Sequence, residues 1–409
     1  MKNKRLILLS LCLLIFIDSI GGGLIFPLMP ELFFDSTRGL IINHTLFFRN
    51  MMYGLSFALF PLAGFIGMPL FGVFSDKLGR RKIMLYGLVG ISFGYFLSMV
   101  SIYTSDLYIF LLSRLIEGFF IGTYTVASAA ISDISNNEVS KMNNFRWPML
   151  ISVLGFVLGP VMGSAVGLIQ TREAFVIPFL IAFLLSLINL LTIYKLFPKY
   201  INNTSDFKES YSASIFFIFI NKKIKPLSIS YLFFQFAMAL LFQYLSIFLF
   251  QGYGYGTGKI GVFYITMSMA LVIGMLAIQP KLMSFIKLDK IINYSFILVI
   301  LIVFIETVSL IFIKSSIIFW TLMFVMFLFQ PIISVGLVVS FSESVNEYDQ
   351  GKVMAGSGQL ASLGSLCSAI LLGLLLNINS IVVFFMIFIC LFISFYLFSL
   401  YKGVLDEVN

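Results

Sequence analysis

Four ionisable side chains lie deep inside long apolar runs, where water cannot solvate them: Asp18, Arg114, Glu117 and Glu306. Asp18 stands about 18 Å into the run that starts at Leu6, counting 1.5 Å per residue, near the middle of a hydrocarbon layer about 30 Å thick. A lone carboxyl at that depth suits proton exchange or recognition of a cationic group. The bland reading is a carboxyl satisfied by a neighbouring carbonyl. An arginine at the centre of a membrane helix costs at least about 2.5–3.5 kcal/mol, so Arg114 must face protein or a wet cavity. Glu117 follows three residues later, within reach of an i,i+3 ion pair. Such a pair either couples to protons or merely neutralises two buried charges. Glu306 is the weaker candidate.

The elements that must hold these groups are membrane helices. Of 409 residues, 60% are hydrophobic, 17% aromatic and only 11% charged. Soluble chains carry roughly 25% charged residues, so an ordinary soluble domain is excluded. Apolar runs of about 20 residues recur along the chain. They place spans at about 6–29, 52–74, 83–103, 107–132, 146–169, 174–197, 226–250, 260–280, 291–313, 317–341, 353–376 and 381–401. The first run lacks a small-residue cleavage site and reads as a span rather than a removable leader. The reading is an all-α membrane protein of twelve transmembrane helices in two six-helix halves. They divide as 1–198, a central polar loop 199–225, and 226–409.

Twelve spans put both termini on one side. Twenty of the 26 Lys and Arg residues then fall on that side; Arg38, Arg49, Arg172, Lys259 and Lys314 fall on the other, and Arg114 lies within a span. This asymmetry predicts cytoplasmic termini, and it accounts for the net charge of +8 without nucleic acid. Cys12, Cys367 and Cys390 lie in apolar segments without metal-ligand spacing, and the sole histidine, His44, sits in a polar loop. Neither disulfide, metal nor cofactor is expected. No Gly-x-x-x-x-Gly-Lys-(Ser/Thr) loop occurs, which argues against nucleotide-driven chemistry.

Between the second and third runs lies Gly72-Val73-Phe74-Ser75-Asp76-Lys77-Leu78-Gly79-Arg80-Arg81-Lys82. Its charges cannot lie in hydrocarbon, so the segment must surface as a hairpin. The pattern Gly-x-x-x-Asp-(Arg/Lys)-x-Gly-Arg-(Arg/Lys) resembles the signature loop of the major facilitator superfamily. Phe74, Ser75 and Lys77 stand where Leu, Ala and Arg are commoner. The resemblance implies a secondary transporter, not an enzyme, with a substrate site near the bilayer midplane between two halves. It implies that Asp76 and Arg80-Arg81, with Gly72 and Gly79, latch the halves together on the cytoplasmic side.

Span 5 carries Gly155, Gly159, Gly163 and Gly167 at spacing four, which aligns them on one ridge, with Pro160 bending the helix. On spacing alone this is a small-residue packing seam. Gly155-x-x-x-Gly159-Pro160-x-x-Gly163 also resembles the antiporter motif of the family's drug:proton exchangers. In span 4, Arg114, Gly118 and Gly122 share a face, and the segment resembles the family's Arg-x-x-x-Gly motif, implicated in proton coupling, with Glu117 where Gln is frequent. Asp18-x-x-Gly21-x-x-Leu24-Ile25-x-Pro27 looks like the first-helix sequence of tetracycline-type twelve-helix exporters.

Gln235, Gln243 and Tyr244 in span 7 and Gln330 in span 10 lie on helices that line the family's cavity. Interhelical hydrogen bonding is an equal reading for them. Together these resemblances imply a multi-pass inner (plasma) membrane protein acting as a monomer, its partners being protons, the bilayer and a small molecule. Proton-coupled export of an amphipathic drug or secreted metabolite is expected, with Asp18, Arg114 and Glu117 as the coupling groups. The alternative in the same fold is a dedicated metabolite or siderophore carrier, which for an anionic cargo would need more cavity cations than Arg114. A non-transport membrane protein would need a catalytic constellation or soluble domain.

Overall fold

The computed structural model describes residues 2–134, 138–169, 171–198, 218–221, 224–313 and 315–408. Most of the expected central loop, 199–225, lies outside these residues. Among the described residues the regular structure is helical, because a membrane helix satisfies every backbone N–H and C=O within one segment. Eleven of the described helices are long and apolar enough to cross a membrane. The expected span 146–169 falls on a helix, Glu138–Ala165, whose apolar stretch is only Leu150–Ala165. Glu138, Lys141 and Arg146 make its first turns polar.

The chain forms two compact units. The first comprises residues 1–210 with 254–262, and the second comprises 211–253 with 263–409. In the first unit the helices are α1 (Lys2–Phe34), α2 (Leu46–Leu78), α3 (Arg80–Thr104), α4 (Leu107–Phe120), α5 (Thr123–Asp133), α6 (Glu138–Ala165) and α7 (Val176–Leu196). α4 and α5 are one span interrupted by a turn at Ile121–Gly122, which the sequence pattern did not foretell. α1 packs chiefly on α6, α2 on α4, and α3 on both α4 and α7. The second unit holds α8 (Lys225–Tyr253), which runs against α13 (Glu347–Leu375) and α14 (Ser380–Val408). Its remaining long helices are α11 (Leu288–Phe312), packed on α14, and α12 (Ser316–Glu343), packed on α11. Between α8 and α11 in sequence, α9 (Thr257–Ile273), whose first residues up to 262 belong to the first unit, widens into a π turn at Gly274–Ile278 just ahead of Pro280, and then continues as α10 (Gln279–Met283). The proline supplies no N–H, so the ladder must re-form around it.

The glycine ridge meets the backbone of α1. A Cβ on Gly155 would stand 2.7 Å from the Phe16 carbonyl oxygen, and one on Gly159 would stand 2.6 Å from the Leu24 nitrogen. A Cβ on Gly163 would stand 2.8 Å from the Leu24 oxygen. Pro160 fits against Gly23 of α1. Ser19 and Ser152 join hydroxyls across the same seam at 2.9 Å. The helix that carries Asp18 is therefore seated by contacts that no larger residue permits.

Where α1 ends, Glu31 is buried and accepts the backbone N–H of Thr257 at 2.6 Å, while Arg38 donates to its other oxygen. Three of the cations that the charge asymmetry assigns to the less basic side serve as staples for main-chain oxygens. Arg38 reaches Ile169, Arg49 reaches Phe34 and Ile42, and Arg172 reaches Arg38 and Gly39. These five oxygens belong to loops and helix ends that lack an intrahelical partner.

Candidate functional site

Asp18, Tyr95 and Glu117 line one small space, together with Gly21, Phe60, Ile91 and Ile121. The lining comes from α1, α2, α3 and the α4–α5 span, so four helices of the first unit meet there. The space has room for about one water molecule. Drug-sized ligand pockets run from about 300 to 1,000 Å³, whereas a water takes about 30 Å³ of liquid. Water and protons fit this cavity, and a drug-sized molecule does not.

Both carboxyl groups are held by identifiable contacts. Asp18 accepts from the Thr123 hydroxyl, a long contact at 3.4 Å. Thr123 opens α5, so the interruption of the fourth span turns this hydroxyl toward α1. Glu117 is only 4% exposed and is fully occupied: Arg114 donates to one oxygen and Ser98 of α3 to the other at 2.9 Å. Ser98 also pairs with Ser113 at 2.7 Å. The Arg114 guanidinium lies 4.7 Å from the centre of the Phe60 ring, a cation–π contact that partly replaces lost hydration. The Arg114–Gly118–Gly122 face therefore packs on α2. Gly118 stands against the Phe60 carbonyl and Gly122 against the Phe71 ring.

The sequence-predicted residues do not all gather here. Asp18 and Glu117 share the cavity, and Arg114 stands behind Glu117. The glycines of α6 seat α1 from the far side. In the second unit, Gln243 is buried and bound to Ser365 and Ser368 of α13, which makes it a tie between α8 and α13. Gln235 donates to Tyr231 one turn back at 3.2 Å, and Tyr244 is enclosed by Phe248 and Phe384. Gln330 is half-buried on α12. Glu306 is fully buried on α11, where the Ser309 hydroxyl donates to its main-chain carbonyl.

In the hairpin, Asp76 pairs with Arg80, whose Nε also bonds Asp133 at the end of α5 at 3.0 Å. Arg80 reaches the Ser75 hydroxyl as well, at 2.6 Å. Arg81 bonds the Tyr194 carbonyl of α7 and lies over its ring. Gly79 adopts φ +93°, a conformation that favours glycine, and so lets α2 end and α3 begin within one residue. These contacts tie four helix ends of the first unit together.

Sequence reasoning missed Tyr95, Ser98, Thr123 and Asp133. None stands out among neighbours of similar type, and each acquires its role only through a contact 19 to 105 residues away. A signal did exist in α3, where Gly87, Gly90 and Gly94 recur at helical spacing. Thr123, Phe120 and Glu117 fill the space where their side chains would be.

A family model described as Major Facilitator Superfamily matches residues 11–366. The tetracycline resistance protein, class C, of Escherichia coli is 32% identical over 176 residues, 43% of this chain and 40% of that protein. The quinolone resistance protein NorA of Staphylococcus aureus is 30% identical over 162 residues, 39% of this chain and 38% of its own. The chain thus spans about two fifths of the length of these relatives. The crystal structure of the human organic anion transporter MFSD10 (TETRAN) superposes with a TM-score of 0.70 at 18% identity, covering 96% of this chain and 99% of that one.

Proposed function

We propose that this chain, which belongs to the Major Facilitator Superfamily and is a multi-pass membrane transporter rather than an enzyme, is a proton-coupled exporter. Its cargo on this reading is a small amphipathic organic molecule, either a drug or a secreted metabolite, as the names of its resistance-protein relatives suggest. The observation that carries the reading is the cavity shared by Asp18 and Glu117. Two carboxyl groups from different helices face one space large enough for water and too small for a drug-sized cargo. Such a site serves protons, and the cargo must bind elsewhere.

Arg114 neutralises Glu117 while that carboxylate is ionised. Protonating Glu117 would leave the guanidinium buried without its carboxylate, beside the Phe60 ring, which is costly. Arrival of a proton thereby becomes a change in helix packing, which alternating access requires. The anionic-cargo alternative finds little support here, because the cation nearest the cavity is already committed to Glu117. Cytoplasmic termini, residence in the inner (plasma) membrane and action as a monomer complete the proposal, the first resting on the charge asymmetry of the loops.

The test is uptake of tetracycline or a fluoroquinolone into inverted vesicles under an imposed pH gradient. Asp18→Asn keeps the shape and removes the titratable group. Gradient-driven uptake should collapse at near-normal protein level, because the variant has no group at that position to carry the coupled proton. Unchanged uphill uptake in the variant refutes the role of Asp18. A chain that moves neither compound would be screened for other amphipathic substrates by efflux in a pump-deficient host.

A further inference from the structure

We propose that Tyr95 is the relay residue through which Asp18 and Glu117 exchange a proton; this rests on the reading that both carboxyl groups handle protons. Two observations concern Tyr95 itself, and a third concerns its neighbour in α3. Tyr95 is buried and lines the same cavity as both carboxyl groups. Its Oη fills the space that a Cβ on Gly21 would need, on the face of α1 that carries Asp18 one turn earlier. On its other side, the residue next to it in α3 is Gly94, and the missing side chain there is replaced by the Cγ of Glu117, 2.6 Å from the Cβ position. Two absent side chains, at Gly21 and Gly94, thus admit a phenol and a carboxyl to one cavity from two helices.

The charged and titratable groups facing the three members are few. Tyr95 lies within Coulombic range of Glu117, Asp18 and Arg114. Asp18 also faces Thr123 and lies within Coulombic range of Tyr124, and Glu117 faces Arg114 and Ser98. Among them the Tyr95 phenol is the group that both gives and accepts a proton and stands near both carboxyl groups.

In the relay, protonated Asp18 gives its proton to Tyr95 Oη, directly or through a cavity water, while the phenolic proton passes to the carboxylate of Glu117. One O–H bond breaks at Asp18 and one forms at Glu117, the phenol is regenerated, and the net result is one proton moved from α1 to α4. Its arrival removes the partner of Arg114. Asp18 then becomes the entry group, and Glu117 becomes the group whose protonation alters packing.

The experiment needs no cargo. The purified full-length protein is titrated in detergent and its carboxyl C=O infrared band is followed over roughly pH 4–9, where displaced carboxyl groups ionise. The Asp18→Asn and Glu117→Gln variants assign the two contributions. Coulombic coupling between the two carboxyl groups survives loss of the phenol, so the relay is read as a rate: after a rapid pH jump, Asp18→Asn should slow the protonation of Glu117 by about tenfold or more. In a Tyr95→Phe background, which keeps the ring and loses the hydroxyl, the same substitution should leave that rate unchanged. An Asp18→Asn effect that is equal in both backgrounds, zero included, overturns the relay and leaves the proton reading standing. Absence of any titrating contribution that the Asp18 and Glu117 variants remove overturns both. Should Tyr95→Phe fail to fold, Gly21→Ala displaces the hydroxyl while keeping every titratable group. Slowing of Glu117 protonation by Asp18→Asn that persists in that variant also overturns the relay.

Discussion

Gly94 of α3 and Glu117 of α4 compete for one volume. The Cγ of Glu117 lies 2.6 Å from where a Cβ on residue 94 would be, and the Glu117 backbone nitrogen lies 3.3 Å away. An alanine at 94 therefore collides first with the side chain and only marginally with the main chain. We expect Gly94→Ala to destabilise the protein by about 1–3 kcal/mol, as overpacking of a close seam does. In a Glu117→Ala background most of that cost should disappear. Thermal unfolding of the four proteins of this double-mutant cycle in detergent measures the coupling. Additive losses would mean that Gly94 contacts something other than the Glu117 side chain.

The seam between α1 and α6 gives a second expectation. Gly159 faces the Leu24 nitrogen, the Ile20 oxygen and the Gly23 carbonyl carbon, all main-chain atoms that cannot rotate away. Gly159→Leu should insert into the membrane but lose about 3 kcal/mol or more, at the upper end of overpacking costs, because backbone must move. Transport should fall with it. Gly22→Ala makes the control, because nothing lies within 4 Å of the Cβ position there and it should behave as wild type. Native melting of Gly159→Leu would show that this ridge tolerates separation.

At the hairpin, Arg80 is shared between Asp76 and Asp133. Arg80→Ala leaves two neighbouring carboxylates without their common cation, so the ends of α2 and α5 should loosen. Arg80→Lys keeps the charge but loses the planar fork that serves two carboxylates and Ser75 together. Faster hydrogen exchange at residues 75–83 is expected in Arg80→Ala, with Arg80→Lys intermediate. Turnover should slow in the same order while protein level is maintained. Equal exchange in all three proteins would show that the ion pairs do not hold the hairpin.

The charge asymmetry of the loops makes a topological prediction. Reporter fusions at Ser205 and after Asn409 should both read as cytoplasmic, and a fusion at Thr45 should read as external. A cytoplasmic signal at Thr45 would contradict the twelve-span arrangement.

Much of this molecule was legible before folding. Composition and run length determine a helical membrane protein, because lipid gives an unpaired backbone no alternative. The hairpin pattern at Gly72–Lys82 was readable as a family signature because its charges stand alone between apolar runs. Asp18, Arg114 and Glu117 were equally visible, because a charge amid hydrocarbon has no incidental reason to be there. The glycine spacing in α6 announced a close approach but not its partner.

Tertiary structure decided which groups meet. That Asp18 and Glu117 share a cavity depends on the packing of α1, α3 and the α4–α5 span, and no periodicity within one helix encodes a distance between helices. Gln243 read equally as a cavity group or an interhelical tie, and in the fold it bonds Ser365 and Ser368, since a polar side chain in a helix faces a neighbour or a cavity by virtue of rotation alone. Tyr95 was one of 18 tyrosines and Gly94 one of 31 glycines. Only in the folded chain does the space left by one side chain become the place where another does its chemistry.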